Sequence, residues 1–195
     1  NDRMLKRMHR LGDRAAIESL VDRIRTRIPT VTFRTAFIVG FPGETDAAYT
    51  ELRDYVERAE FDRVAVFLYS DEEGTGAVGL DEKVERDVMD ERRNEILSVQ
   101  ESISAAKGRA IVGSILEVLV DGRSEETEHV LEGRHEGLAP EIDGVVYIDE
   151  GLSDTTPQRP ARHNVSSPTP GEFCKVEITD ASAFDLVGRI VTAPV

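Results

Sequence analysis

The chain has 195 residues and a mass of 21.6 kDa, with 39% hydrophobic and 32% charged residues. That composition supplies enough apolar material to bury a core, and it excludes a wholly disordered chain. The formal net charge is −14, and no apolar run reaches the roughly 18 residues that a membrane-spanning helix needs.

The opening NDRMLKRMHR is basic but is followed by no apolar h-region, so it is not a secretory signal. The chain does not begin with methionine, and Asn1 is read as a cut end. Residues 13–28 are predicted to be a helix with Asp13 as N-cap. Ile17, Leu20, Val21, Ile24 and Ile28 fall on one apolar face, and Pro29 ends it. Residues 32–41 are β-branched and aromatic and read as a strand, punctuated by Gly40-Phe41-Pro42-Gly43. Thr45 should cap a second helix whose face is Ala48, Tyr49, Leu52, Val56 and Ala59. Residues 62–69 form a second apolar strand. Strand, helix and strand within about 40 residues predict a parallel βαβ unit. Runs without polar alternation predict strands covered on both faces.

Residues 70–80 read as a loop. Helical signal resumes near Glu82 and continues to Ala110, with a stripe of Ile96, Val99, Ile103 and Ala106. Beyond Gly113 the pattern changes to five short strands, at 114–120, 127–133, 144–149, 172–179 and 186–192. They predict a small antiparallel barrel of OB-like size. The Pro- and Ser-rich stretch 152–170 is predicted to be a disordered surface loop.

Charge divides unevenly. Residues 1–110 hold 18 Lys and Arg against 22 Asp and Glu, a net −4. Residues 111–195 hold 6 against 16, a net −10. An acidic module repels a phosphate backbone and attracts a basic protein.

Three places hold candidate chemistry. The turn Gly40-Phe41-Pro42-Gly43-Glu44-Thr45 stands at the carboxyl end of a parallel strand, where such folds bind ligands. It also suits an ordinary βα turn, with Glu44 complementing the helix dipole. The second strand runs out into Tyr69-Ser70-Asp71-Glu72-Glu73, whose carboxylates suit either an acid/base pair or a solvated turn. The one cysteine, Cys174, shares a strand face with Val176 and Ile178 and is predicted to be a buried small hydrophobe. It excludes an internal disulfide or an iron–sulfur site made by this chain alone. The four histidines have no metal-site spacing.

Four strings together resemble a known family: RTAFIVGFPGET (34–45), EFDRVAVFLYSDEEGT (60–75), GLAPEIDGVVYID (137–149) and GEFCKVEITDASAFDLVGRIV (171–191). They are similar to the methylthiotransferases of the radical S-adenosylmethionine (SAM) superfamily, and most to the C-terminal portion of the RimO type. The resemblance implies an α/β partial, TIM-like radical SAM barrel segment over 1–110, followed over 111–195 by an all-β five-stranded OB-like TRAM barrel. It implies a reaction on a basic small-subunit ribosomal protein, in which a methylthio group is added to an aspartate of protein twelve. It implies SAM and two [4Fe–4S] clusters as cofactors, with all cluster ligands absent here, and a cytoplasmic enzyme whose reductant is left open. Ile38, Gly40, Phe67 and Leu68 then line the SAM rim, while Glu44, Ser70, Glu72 and Glu73 face the substrate from loops. Ala36 and Asp71 depart from the family's usual Gly and Pro. The resemblance also implies that the fragment is inactive alone. A tRNA-modifying relative of the MiaB type and a non-catalytic OB-like protein- or RNA-binding module remain as alternatives.

Overall fold

The computed structural model describes residues 1–124, 130–149 and 168–192. The chain divides into two compact units, Asn1–Ile103 and Ser104–Val195.

The first unit opens with α1 (Asp2–Arg7), which the sequence reading missed. Six residues are too few to show a period, yet the Asn1 side chain caps the helix by accepting the Met4 N–H at 3.2 Å. Met4 anchors it in a small cluster with Phe41 and Ala48. The next helix, α2 (Arg14–Arg27), starts at the expected cap, with Asp13 accepting the Ala16 N–H at 2.8 Å. Its apolar face is present but open, for none of its residues is buried.

Next come β1 (Arg34–Val39), α3 (Asp46–Ala59) and β2 (Arg63–Leu68). The two strands pair in parallel, with Ala36 opposite Ala65 and Ile38 opposite Phe67, so the βαβ unit forms as its pattern predicts. Thr45 caps α3 by accepting the Ala48 N–H, and Ala48, Tyr49, Val56 and Ala59 are buried along its expected face. The final helix, α4 (Arg86–Ala110), begins four residues later than predicted. Ile96 is fully buried and Val99 half-buried in the same core as Val39, Tyr49 and Val56, whereas Ala106 is exposed. One expectation about the strands is corrected. Side chains alternate across the sheet, so Phe37, Val39, Val64, Val66 and Leu68 meet the helices. Ala36, Ile38, Ala65 and Phe67 lie on a face that nothing described covers.

The second unit holds a closed five-stranded barrel of β3 (Ile115–Arg123), β4 (Val130–Arg134), β5 (Val146–Asp149), β6 (Phe173–Ala181) and β7 (Leu186–Thr192), in the order β3-β4-β5-β7-β6. The expected antiparallel barrel is corrected to a mixed one, because β5 and β7 pair in parallel. Strand directions depend on which strands meet, and that is a non-local property. Val118, Val120, Val146, Ile148, Cys174, Val176 and Ile178 fill the interior. Each such Val or Ile contributes roughly 1.5–3 kcal/mol on burial. The disordered loop expected at 152–170 lies, up to residue 167, outside the described residues, as do residues 125–129 at the start of the second expected strand.

Gly133 marks a close approach within the barrel. A Cβ there would stand 2.5 Å from the Leu119 carbonyl oxygen and 2.8 Å from Val118 Cγ1. The obstacle is backbone, which cannot rotate away, so Gly133→Ala is expected to cost about 1–3 kcal/mol; urea denaturation of the chain followed by circular dichroism measures it. In the first unit, a two-stranded parallel sheet with open edges and an uncovered apolar face is an association hazard. A separate 1–110 polypeptide is expected to elute as aggregates in size-exclusion chromatography, and a soluble piece that melts cooperatively would contradict this.

Candidate functional site

The backbone leaves β1 at Val39 and turns through Gly40–Glu44 before α3 begins. Gly40 has φ +78°, a left-handed value that favours glycine. The space where its Cβ would project is filled by the Met89 side chain of α4, whose Sδ would lie 2.7 Å away. The sheet ladder continues one step beyond the strands, as the Tyr69 N–H donates to the Val39 carbonyl at 2.9 Å.

The Gly40 N–H would be left without an acceptor in a buried turn. It donates to the Glu44 carboxylate at 2.6 Å. Glu44 is itself paired with Arg92 of α4 at 2.9 Å, and the two side chains are only 5% and 7% exposed. The second arm of the Arg92 guanidinium reaches the exposed Asp46 carboxylate at 2.7 Å, and Nη1 also donates to the Glu44 carbonyl. Its plane lies 5.2 Å from the centre of the Tyr49 ring. Burial pushes the Glu44 carboxyl above the usual carboxylate value, while the Gly40 N–H and Arg92 pull it back. Further bonds fix the far side of the turn. Arg7 Nε donates to the Pro42 carbonyl at 3.0 Å, and the Gly43 N–H donates to the Glu82 carbonyl at 2.8 Å.

This geometry treats the expected site residues differently. Ile38 and Phe67 are register partners on the open face, 43% and 58% exposed, and with Ala36 and Ala65 they make an uncharged apolar strip. Gly40 follows at the end of that strip. Leu68 points the other way, into the core, so only its backbone can reach the open side. Glu44 does not project from a loop, since its carboxylate is turned inward and engaged. It acts on its surroundings through the backbone it holds. Ser70, Glu72 and Glu73 lie on an exposed loop, where the Ser70 hydroxyl donates to Glu72 at 3.1 Å. Their neighbour Asp71 is tied to Lys83 and to the Tyr69 hydroxyl, and these contacts hold its carboxyl below the ordinary range.

The sequence reading missed Met89 and Arg92. A signal was available. Positions 89, 92, 96, 99 and 103 follow one helical stripe, and an arginine on a stripe bound for the interior announces a buried partner. Among the described residues no group of His, Cys, Asp and Glu is placed to hold a metal ion. Cys174 is buried in the barrel core, where desolvation pushes its thiol up and away from the thiolate form. The first unit therefore offers an exposed apolar strip ending at a turn held by buried hydrogen bonds.

A family described as "TRAM domain" matches residues 112–191. Along nearly its whole length the chain is also similar to curated relatives named ribosomal protein uS12 methylthiotransferase RimO. The protein of Anaeromyxobacter sp. (strain K) is 47% identical over 191 residues, which is 98% of this chain and 38% of that protein. That of Sorangium cellulosum is 46% identical over 190 residues, 97% and 36% of the two chains. That of Geobacter sulfurreducens is 39% identical over 192 residues, 98% and 40%. The chain spans about two fifths of the length of the relatives it matches.

One pH dependence follows from the site's edge. The Tyr49 hydroxyl donates to Glu95 at 2.6 Å and lies 3.1 Å from the Arg92 carbonyl. Tyr49 first and Arg53 second hold the Glu95 carboxyl below its ordinary 4.5. A depressed carboxylate contributes stability above its unfolded value and loses it as pH falls through the folded one. Tyr49→Phe is expected to cost about 1–2 kcal/mol at neutral pH. The gap between variant and wild type should shrink below pH 4.5. Urea midpoints across pH 3–7, a window set by the ordinary carboxylate range, check both statements.

Proposed function

We propose a function for a chain that corresponds to a portion of the RimO-type methylthiotransferases: it is part of a radical SAM enzyme that adds a methylthio group to an aspartate of small-subunit ribosomal protein twelve. The observation that carries this reading within the fold is the one-sided sheet. An uncovered apolar strip that runs to the carboxyl ends of two parallel strands suits an α/β barrel, whose ligands bind at that end. Residues 1–110 are accordingly assigned to the radical SAM domain and 111–195 to the TRAM domain.

The fit to SAM is tested by the strip itself. Ile38 and Phe67 offer apolar surface to an adenine ring near the carboxyl ends of the strands, while the paired Arg34 and Arg63 lie at the opposite end of the same face. Gly40 and the Leu68 backbone complete the rim. When bound, SAM supplies the radical chemistry. The residues of this chain bind the adenine end, orient it and exclude water from one side of it. The two [4Fe–4S] clusters do not fit the donors described here, because the one thiol is buried in the barrel core. No step through a cluster is assigned to these residues, and the 195-residue chain is inactive by itself in this reading.

Substrate handling falls to the loop of Ser70, Glu72 and Glu73 and to the acidic second part. A net −10 over residues 111–195 favours encounter with a basic ribosomal protein and disfavours a phosphate backbone. No described helix is long and apolar enough to cross a membrane, and the reading places the enzyme in the cytoplasm.

The full-length enzyme, reconstituted with iron and sulfide, is the material for the test. Incubated with SAM and a reductant, it is expected to add one methylthio group to an aspartate of ribosomal protein twelve, read by peptide mass spectrometry. The 195-residue chain under the same conditions is expected to add none. Methylthiolation of tRNA with no change in the ribosomal protein would overturn the substrate assignment.

A further inference from the structure

The SAM rim proposed above ends at a turn whose shape is imposed from outside the sheet. Within the turn the Glu44 N–H donates to the Phe41 carbonyl at 2.9 Å, and the left-handed Gly40 is held by a side chain. The Glu44 carboxylate holds the Gly40 N–H at 2.6 Å, and it is in turn held by a buried arginine from a helix about 50 residues further along the chain. Met89, one helical turn before that arginine, closes the other side of Gly40.

We infer that Arg92 is a positioning residue for the cofactor site: through Glu44 it sets the conformation of the Gly40 turn, and so the place where the apolar strip of Ile38 and Phe67 ends. This rests on the reading that the strip receives SAM. Several observations point to positioning rather than simple packing. The Arg92 guanidinium is forked, with one arm on Glu44 and the other on Asp46. Those two carboxylates flank the N-cap residue of α3, so the fork ties the start of that helix to the turn. Bidentate recognition by a planar group fixes orientation as well as distance. A lysine is a point charge and can satisfy only one arm. Without Arg92 the Glu44 carboxylate loses the partner that orients it, its hold on the Gly40 N–H is no longer fixed in direction, and the turn is free to relax.

The test uses the full-length, cluster-reconstituted enzyme and SAM itself as probe, in equilibrium dialysis well below the melting temperature of every variant. Arg92→Met is expected to raise the SAM Kd about tenfold, the order of one strong charge-assisted contact. Arg92→Lys is expected to recover part of that loss, to within about threefold of wild type, because it restores the charge and not the fork. Glu44→Gln keeps an acceptor for the Gly40 N–H and carries the test if Arg92→Met does not fold; a rise in Kd of about threefold or more is expected. Unchanged Kd values with a lowered melting temperature would make Arg92 merely structural and overturn the inference. A paired Ile38→Ala, Phe67→Ala variant separates the two levels. If it too leaves the Kd unchanged, the assignment of the strip fails and this inference falls with it. If it weakens binding while the Arg92 and Glu44 variants do not, the strip stands and only the role of Arg92 falls.

Discussion

The buried pair of Glu44 and Arg92 is the contact on which the first unit's geometry depends. Removing two charges from water costs several kcal/mol for each, and the loss is recovered only where every remaining donor and acceptor is met. Here they are met. The carboxylate takes the Gly40 N–H as well as the guanidinium, and the guanidinium takes Asp46, the Glu44 carbonyl and the face of Tyr49. An apolar pair of equal volume would pack as well and cost less. It would leave the Gly40 N–H without an acceptor at the point where the strand ladder stops, and one of the constraints on this glycine's conformation would be lost. The pair thus provides direction more than stability, and it does so where the chain leaves the sheet.

That directional role makes sense beside a sheet with one bare side. Parallel strands are ordinarily covered on both faces. Here α3 and α4 bury Phe37, Val39, Val64, Val66 and Leu68, while Ala36, Ile38, Ala65 and Phe67 stay open. Leaving apolar surface in water opposes folding, so such a face is retained where something else is to lie on it. The barrel in the second unit is different in kind. Its five strands close on themselves, and among the described residues its hydrophobic cluster is aliphatic apart from Cys174.

What the sequence disclosed follows from which interactions are local. The cap at Thr45 and the buried face of α3 were legible because a helical face repeats within a few residues. The five barrel strands were legible from Gly, Asp and Pro punctuation, with ends within a few residues of those observed. The parallel pairing of β5 with β7 was not, since a strand carries no mark of its neighbour. Helix α1 was too short to show a period. Glu44 was read as a substrate-facing loop residue, or else as a helix-dipole complement, because its partner lies 48 positions away, and Arg92 was lost in a helix where charged residues are common. Its place on the stripe with Ile96 and Val99 was the one clue. The unbroken apolar run that made each of these strands legible also hid the open face, because a strand apolar on both sides looks alike whether one side or two are covered.

The acidity of the second part has a narrower meaning than its size suggests. In the barrel, Arg134 pairs with Asp121 and Arg189 with Glu177, so two of its six cations are already committed to local partners. A net charge of this kind acts through solvent, where it fades over about 8 Å at physiological salt. A field of that reach raises the encounter rate with a basic partner and repels a phosphate backbone, but it cannot select one side chain for reaction. Selection needs groups held to fractions of an ångström, and among the described residues that precision belongs to a turn whose glycine, glutamate and arginine are locked together. In the proposed enzyme the two parts therefore differ in kind: the second carries a diffuse negative charge, and the first carries a turn clamped by Glu44 and Arg92.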